Sequence, residues 1–225
     1  MTIPHTWDLS PDSAVKLQRA LAGQINNTTP LDLAQIRYVA GVDVSVKENI
    51  SRAAIVVQRF PELVTVEAVT AQLPTPFPYI SGLLSFREGE VILQAHEKLE
   101  IVPDVYIFDG QGIAHPRRIG IASHMGLWFD RPTIGCAKKR LTGKHTIPGP
   151  ETGNMEPLVD HNEVVGMVVR TRTNVKPVYV SVGQRATLET ACDLIMRTIT
   201  RYRLPEPIRA AHNTAGDFKP GQTPS

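Results

Sequence analysis

Apolar residues alternate with small or polar ones along the first third of the chain, which is the pattern of half-buried β-strands. In segment 36–46 a valine stands at every second position from Val42 to Val46, next to glycine, aspartate and serine. One face of this strand is therefore apolar, and Asp43 points to the other face. Two further runs rich in β-branched residues, 53–60 and 63–73, are joined by a short polar turn. Together the three segments predict an antiparallel meander.

The periodicity becomes helical on both sides of this meander. Apolar residues recur at helical spacing in segment 14–25, capped by Ser10 or Asp12, and again in segment 86–99 after a proline-rich loop. Farther along, the pattern predicts helices at 115–129, 187–203 and 206–216, a strand at 131–138, a Gly/Pro-rich connection at 143–157, and a hairpin of strands at 164–172 and 177–183.

A continuous apolar run at 105–108 predicts a strand that is buried on both faces, with Asp109 directly after it. In open α/β sheets, ligand chemistry collects at the carboxyl ends of such strands. The order of strands and helices predicts an α/β fold with a mixed central sheet flanked by helices. The length of 225 residues fits a single domain, 1–225, whose last residues, about 216–225, are predicted to form a disordered tail.

The composition of the chain limits the classes of protein to which it can belong. The apolar content is 42% and the formal net charge is only +2, so nucleic-acid binding must come from local basic clusters. Cys136 and Cys192 follow no metal-binding spacing and are predicted to be reduced, buried thiols. The chain shows no signal-peptide pattern and no apolar run of the roughly 18 residues that a membrane span needs. We therefore expect a cytoplasmic protein without membrane contact, and a monomer, since nothing in the chain demands an oligomer.

Three acidic residues stand where a buried carboxylate is costly: Asp43 in GVDVS, Glu88 in SFREGE and Asp109 in IFDGQG. If they converge, their oxygens make a site for a hard divalent metal, as phosphodiester hydrolysis requires. Glu88 and Asp109 also have structural interpretations, because Ser85 and Glu88 match a capping box and Asp109 before Gly110 suits a turn. Asp43 is harder to explain in this way, since aspartate is disfavoured in the middle of a strand.

Basic residues follow the ends of two predicted strands. Segment 115–118 reads HPRR and follows Asp109, and segment 138–140 reads KKR and follows the strand at 131–138. A basic edge beside carboxylates suits a metal-dependent phosphodiesterase, in which Lys and Arg hold the phosphates next to the scissile one. The alternative for segment 115–118 is a solvated helix start. His212, on the last predicted helix, is by itself more typical of a surface or packing residue.

The proline-rich loop holds aromatic and aliphatic side chains at 77–80 between prolines and Gly82. Stiffened apolar wedges of this kind unstack or flip bases in proteins that act on nucleic acids. The alternative is an aromatic anchor that packs beneath its own loop.

Several segments closely resemble the endonuclease V family of deoxyinosine 3′ endonucleases, from about residue 10 to about residue 215. The most specific are PYISGLLSFRE and FDGQGIAHPR, and YVAGVDVSV, PTIGCAKKRL and LPEPIRAAH occur in the same order and spacing. The resemblance implies a ribonuclease H-like fold and a DNA repair enzyme that uses Mg²⁺ or Mn²⁺. Its expected substrate is double- or single-stranded DNA containing deoxyinosine. The expected cut, at the second phosphodiester bond 3′ to the deaminated base, leaves a 3′-hydroxyl and a 5′-phosphate.

The resemblance also implies roles for residues of this chain. Asp43, Glu88 and Asp109 resemble the metal ligands, His212 the fourth active-site residue, and Lys138 the lysine near the scissile phosphate. His115 matches the histidine of the AHPR motif, and Lys139 and Arg140, with Arg117 and Arg118, are expected to contact further phosphates. The strand-separating wedge and the site that receives the flipped base correspond to Pro78, Tyr79, Ile80, Ser81, Gly82, Leu83 and Leu84.

Two positions depart from the family pattern. Ser81 stands where PYIP is common, which removes one φ constraint from the loop. Gln184 stands where a histidine is common, which keeps a hydrogen-bonding group but gives up a possible charge. Neither departure touches the carboxylates. Three alternatives stay open: an endoribonuclease for inosine in RNA, a non-catalytic lesion-binding module, and a nuclease that is indifferent to lesions.

Overall fold

The computed structural model of this protein describes residues 5–217. Its helices are α1 (Pro11–Ala22), α2 (Leu84–His96), α3 (Ile121–Phe129), α4 (Leu188–Arg197) and α5 (Glu206–Gly216). Its strands are β1 (Tyr38–Lys47), β2 (Ile50–Arg59), β3 (Val64–Pro74), β4 (Val105–Phe108), β5 (Thr133–Ala137), β6 (Met155–Asp160), β7 (Glu163–Val169) and β8 (Val178–Gln184). The tail predicted at about 216–225 lies outside the described residues from 218 onward, while Gly216 is the last residue of α5.

The strands of the described residues form one mixed sheet in the order β3-β2-β1-β4-β5-β8-β7-β6. Antiparallel pairing of β1, β2 and β3 confirms the predicted meander, and antiparallel pairing of β7 with β8 confirms the predicted hairpin. Strand β4 runs parallel to β1 on one side and to β5 on the other. The predicted α/β fold with a mixed central sheet is confirmed. The parallel strands carry their carboxyl ends to the same edge of that sheet.

Helices cover both faces of the sheet. On one face, Phe86 of α2 and Met125 of α3 pack in a cluster with Tyr106 of β4. On the other face, Ile208 of α5 packs in a second cluster with Ile107 of β4. Neighbouring residues of a strand point to opposite faces, so β4 contributes to both clusters, as expected for a strand buried on both sides.

Strand β6 begins inside the segment predicted to be an irregular connection, so that prediction is wrong for residues 155–157. The strand pairs with β7 across a turn at His161 and Asn162, whose φ angles of 51° and 64° suit a type I′ hairpin. Pro157 is tolerated because β6 is an edge strand of the sheet. Leu158 is the one buried residue of β6, so the strand shows no hydrophobic alternation from which the sequence could have predicted it.

Among the helix starts, the largest difference is in segment 115–129, where α3 begins at Ile121 instead of at His115. Arg118 has a left-handed φ of 58°, which an α-helix does not accommodate. Residues 115–118 therefore form a turn that folds back toward the neighbouring loop. Three other helices end earlier than predicted: α1 at Ala22, α2 at His96 and α4 at Arg197.

Cys136 and Cys192 are buried free thiols, as predicted. Burial raises the pKa of both, that of Cys192 to about 12, so both groups remain protonated at neutral pH. Within residues 5–217, no helix combines the length and apolar character required to cross a membrane.

Candidate active site

Parallel pairing of β1 with β4 places two of the predicted carboxylates side by side. Val42 pairs with Phe108, and the backbone N–H of Asp109 donates to the carbonyl oxygen of Val42 at 3.2 Å. Asp43 and Asp109 are therefore the next residues on strands that lie about 4.8 Å apart. Their side chains are largely buried, with exposed fractions of 13% and 11%.

Glu88 approaches these aspartates from α2. Burial raises its pKa to about 8; the charge of Asp43 adds to the rise, that of Arg87 opposes it, and that of Asp109 adds a further increment. Glu88 thus resists ionisation chiefly because it is buried, and further because two other carboxylates lie close to it. The three acids predicted from distant stretches of sequence share one region of negative potential.

The capping-box interpretation of Glu88 is wrong. The N-cap of α2 is Leu83, which makes no side-chain capping bond, and Ser85 lies inside the helix. Ser85 Oγ instead makes a hydrogen bond with Nδ1 of His124 on α3 at 2.8 Å. Since the Glu88 carboxyl group is not used at the helix start, it is left to face the aspartates.

His212 joins the site from α5. Its Nδ1 lies 2.6 Å from Oδ2 of Asp43, a residue 169 positions away in the chain. Gly41 makes this approach possible, because a Cβ at that position would lie only 1.9 Å from the carbonyl oxygen of Pro207 at the start of α5. A glycine on β1 thus lets the last helix pack against the strand and bring His212 to the carboxylates.

Lys138, at the carboxyl end of β5, forms an ion pair with Asp109. The pKa of Asp43 is raised by burial first and then by the charge of Asp109, while the hydrogen bond of His212 and the charges of Lys138 and His212 lower it. The site therefore combines crowded carboxylates with cationic side chains that partly offset their charge. Such an arrangement is expected where a phosphate and a cation are both to be held.

The donor set fits a hard divalent cation in its chemistry, because Mg²⁺ and Mn²⁺ prefer carboxylate oxygens. In the side-chain conformations of residues 5–217, however, no group of three His, Cys, Asp or Glu side chains has the geometry of a metal centre. Asp109 is turned to Lys138 and Asp43 to His212. The three carboxylates interact electrostatically, and an ion held by all of them would compete with Lys138 for Asp109, whereas His212 can stay on one oxygen of Asp43.

A cavity of about 440 Å³ opens beside the carboxylates. One wall is the proline-rich loop with Tyr79, Ile80, Ser81 and Gly82; the others include Asp109, Gly110, Gln111, Gly120, Ile121, Lys138, Lys139 and Arg140. Tyr79 is 75% exposed, whereas Phe77 is buried. The anchor interpretation of the loop therefore holds for Phe77, and the exposed tip formed by Pro78, Tyr79 and Ser81 stays available as a wedge.

The carbonyl oxygen of Gly82 is held by three side chains. His115 Nε2 lies 2.9 Å from it, and Arg117 Nη2 and Gln18 Nε2 donate to it at 2.8 and 3.0 Å. Gly82 itself has a left-handed φ of 81°, which favours glycine. This clamp of Gln18, His115 and Arg117 fixes the loop just before Leu83, the N-cap of α2, and so sets the shape of the cavity.

His115 is 2% exposed, and burial is the main cause that lowers its pKa to about 4. It is therefore neutral at physiological pH and acts on the position of the loop, not as a cation at the sheet edge. Gln18, 1% exposed, escaped the sequence analysis because one glutamine in an amphipathic helix carries no distinguishing pattern. Its partner Gly82 is 64 residues away.

Known proteins are similar to this chain in sequence over most of its length. The family model of Endonuclease V matches residues 19–213. The chain belongs to the endonuclease V family. Endonuclease V of Rippkaea orientalis is 54% identical over 186 residues, which are 82% of this chain and 81% of that protein.

Solved structures of endonuclease V agree in fold with this family member. The protein of Streptomyces avermitilis superposes with a TM-score of 0.90 at 37% identity and covers 96% of both chains. The protein of Ciona intestinalis, solved with a 24mer DNA containing an inosine followed by a ribo-adenosine, superposes with a TM-score of 0.78 at 30% identity over 91% of this chain and 95% of that one.

Two features of this endonuclease V differ from the expected nucleic-acid contacts. The guanidinium group of Arg118 is engaged in intramolecular ion pairs, since it donates to Asp160 at 2.8 Å and to Glu163 at 2.7 Å. Gln184 is buried, and its Oε1 accepts from the backbone N–H of Asn26 at 2.6 Å. Its amide therefore fastens the segment after α1 to β8, which gives this departure from the family pattern a structural role.

Proposed function

We propose that this endonuclease V is a DNA repair nuclease that recognises deoxyinosine and hydrolyses the second phosphodiester bond on its 3′ side. The observation that carries the proposal is a shared cavity: Asp109 and Lys138 line the same cavity as Gly82 and the exposed Tyr79. A base held in the cavity is thus next to the carboxylates. The inosine-containing DNA bound by the Ciona intestinalis relative supports deoxyinosine as that base.

Base discrimination follows from hydrogen bonding in the cavity. Hypoxanthine presents an acceptor at O6 and a donor at N1, whereas adenine presents the reverse pattern. Polar groups of a fixed backbone, left unpaired by the wrong base, penalise that base strongly. The clamp on Gly82 provides the fixed backbone, and Tyr79 at the loop tip is placed to fill the gap that the flipped nucleotide leaves.

The carboxylates of Asp43, Glu88 and Asp109 would hold Mg²⁺ or Mn²⁺. A divalent cation there would supply positive charge for the phosphate and would make a water molecule more acidic. Lys138, released from Asp109, neutralises a non-bridging phosphate oxygen. His212 orients Asp43 through Nδ1, and its side chain is 60% exposed, so its Nε2 can exchange a proton with the reacting strand.

The test is a nicking assay on an end-labelled duplex with a single deoxyinosine, mapped at nucleotide resolution. Asp109→Asn is compared with Asp193→Asn, which removes an exposed carboxylate on α4 that pairs with Arg197. Loss of a mere supporting contact to a metal ligand costs about 10–100-fold, so Asp109→Asn is expected to cost more than about 100-fold, with Asp193→Asn near wild type. EDTA is expected to abolish the nick, and Mg²⁺ to restore it.

Parallel substrates separate the alternatives. Equal cutting of the undamaged duplex would indicate a nuclease that is indifferent to lesions, and faster cutting of an inosine RNA strand would indicate an endoribonuclease. Tight binding of deoxyinosine DNA without any nick would indicate a lesion-binding module. A nick by Asp109→Asn at the wild-type rate contradicts the proposed role of the carboxylates.

A further inference from the structure

We call the cavity beside the carboxylates, which is proposed to receive the flipped base, the base cavity. Two clefts of about 520 and 510 Å³ adjoin it. Both are lined by Lys138 and Lys139, which also line the base cavity, and both share Lys176 with each other. We call the two together the basic groove; its other lining residues include Arg140, Ile147, Arg170, Tyr202, Arg203 and Arg209. No aspartate or glutamate is among the described residues that line it.

Three cations of this groove have no ion-pair partner among the described residues, whereas Lys138 pairs with Asp109 and Arg209 with Glu206. Within residues 5–217, Lys139, Arg140 and Lys176 have no carboxylate oxygen within 4.0 Å, the ion-pair distance. The whole chain carries a formal charge of only +2, so a wall without acids is a local concentration of positive charge. Such a wall attracts a polyanion even when the net charge of the protein is small.

The groove also offers flat apolar surface. Tyr202 is 44% exposed, and the guanidinium carbon of Arg209 lies 3.4 Å from the centre of its ring. Ile147, 81% exposed, stands on the other cleft. Cations interleaved with aromatic and apolar side chains are what sequence-independent binding of a nucleic-acid strand uses, because phosphates meet the cations while bases and sugars contact the flat surfaces.

The position of the groove relative to the base cavity indicates which side of the cut bond it contacts. The proline-rich loop with Gly82 lines the base cavity alone, and residues from 170–179 and 202–209 line the groove alone. Lys138 and Lys139 line the cavity and both clefts, and Arg140 lines the cavity and one cleft, so these three residues lie between the two sites. A strand whose lesion lies in the cavity and whose bond is cut at Asp109 and Lys138 enters the groove after the cut. We propose that the basic groove binds the phosphates of the damaged strand on the 3′ side of the cut bond.

This inference rests on the proposed function for its polarity, and the experiment separates the two. Fluorescence anisotropy in EDTA measures the binding of deoxyinosine strands that extend two or ten nucleotides beyond the expected cut on the 3′ side. A second series varies the 5′ side in the same way. Failure of the wild type to nick these strands in Mg²⁺ contradicts the proposed function, whereas the groove is judged only by how affinity depends on strand length.

The variant is Lys176→Glu, because Lys176 is exposed and no hydrogen bond or ion pair of the described residues holds its side chain. The matched control is Lys98→Glu, which reverses another exposed lysine, bonded only to the carbonyl oxygen of Thr70 at 2.8 Å. Lys176→Gln, which removes the charge without reversing it, serves as a second variant. Thermal melting checks that each protein is folded.

Wild type and Lys98→Glu are expected to bind the long 3′ strand several-fold more tightly than the short one. Lys176→Glu is expected to lose most of that gain, and its slope of log Kd against log salt is expected to fall by at least about 0.7, the value of one phosphate contact on a single strand. For Lys176→Gln, the slope of log Kd against log salt is expected to fall by about 0.7. The proposal is overturned if both Lys176 variants keep the 3′ gain, or if the loss follows the length of the 5′ side.

Discussion

In the absence of divalent cations, the wild-type protein should lose stability as the pH rises. Replacing Glu88 with glutamine should abolish this loss. The pKa of Glu88 is raised from its ordinary value of 4.5 to about 8, chiefly by burial and next by the charge of Asp43. The folded protein therefore binds the proton more tightly than the unfolded chain does. This stabilisation is complete below about pH 4.5 and is lost as the pH rises through about 8.

The size of the effect follows from the two pKa values. A tenfold change in proton affinity corresponds to about 1.4 kcal/mol, so the interval from 4.5 to about 8 corresponds to an upper limit on the order of 5 kcal/mol. For a chain of this length, 1 kcal/mol shifts the melting temperature by about 2–4 °C. The melting temperature of Glu88→Gln minus that of the wild type should be near zero at pH 5 and about 10 °C or more at pH 8.5.

The assay is thermal unfolding in EDTA between pH 5 and pH 8.5, with Glu97→Gln as the control on the exposed C-terminal end of the same helix. Ionisable groups other than Asp43 and Asp109, whose charges are coupled to that of Glu88, titrate equally in both proteins, so the difference between them reports on this carboxylate cluster. Mg²⁺ should reduce the difference, because a cation at the carboxylates relieves the repulsion that burial has concentrated. A difference that stays constant over this pH range would refute the reasoning.

Three further substitutions test how the fold holds the site. Gly41→Ala places a methyl group 1.9 Å from the Pro207 carbonyl oxygen and should cost about 1–3 kcal/mol or more in unfolding free energy while lowering the nicking rate; Gly23→Ala, with open space around its Cβ, is the control, and equal stability of the two variants would contradict the packing argument. Gln18→Leu should cost about 1–3 kcal/mol, because it leaves the Nε of Arg117 without its acceptor, and should raise KM for deoxyinosine DNA in steady-state kinetics; an unchanged KM would mean that the clamp does not shape the cavity. Arg118→Gln should lower the melting temperature at neutral pH yet leave the salt dependence of DNA binding unchanged, and a slope that falls by about 0.9 would show that Arg118 contacts a phosphate after all.

Local sequence pattern accounts for the skeleton of the protein and for the placement of its acids. Alternating valines fix which way Asp43 points, and the apolar run at 105–108 fixes Asp109 at the carboxyl end of a buried strand. Both follow from a period of two residues along a strand and from burial on one or two faces, which are properties of a few neighbouring residues. The meander, the hairpin and the helix that carries His212 follow from the same kind of local information.

The tertiary structure determined which of those elements contact one another and through which residues. The Asp43–His212 contact spans 169 positions and depends on the missing side chain of Gly41, while the three donors to the Gly82 carbonyl come from two distant segments. The turn that ends the predicted helix at 115, the ion pairs of Arg118 and the edge strand β6 likewise depend on partners far along the chain. Periodicity reports which side of an element is buried but not what it is buried against, so the rotation of Asp109 toward Lys138 and the clamp around the cavity are set only when the chain has folded.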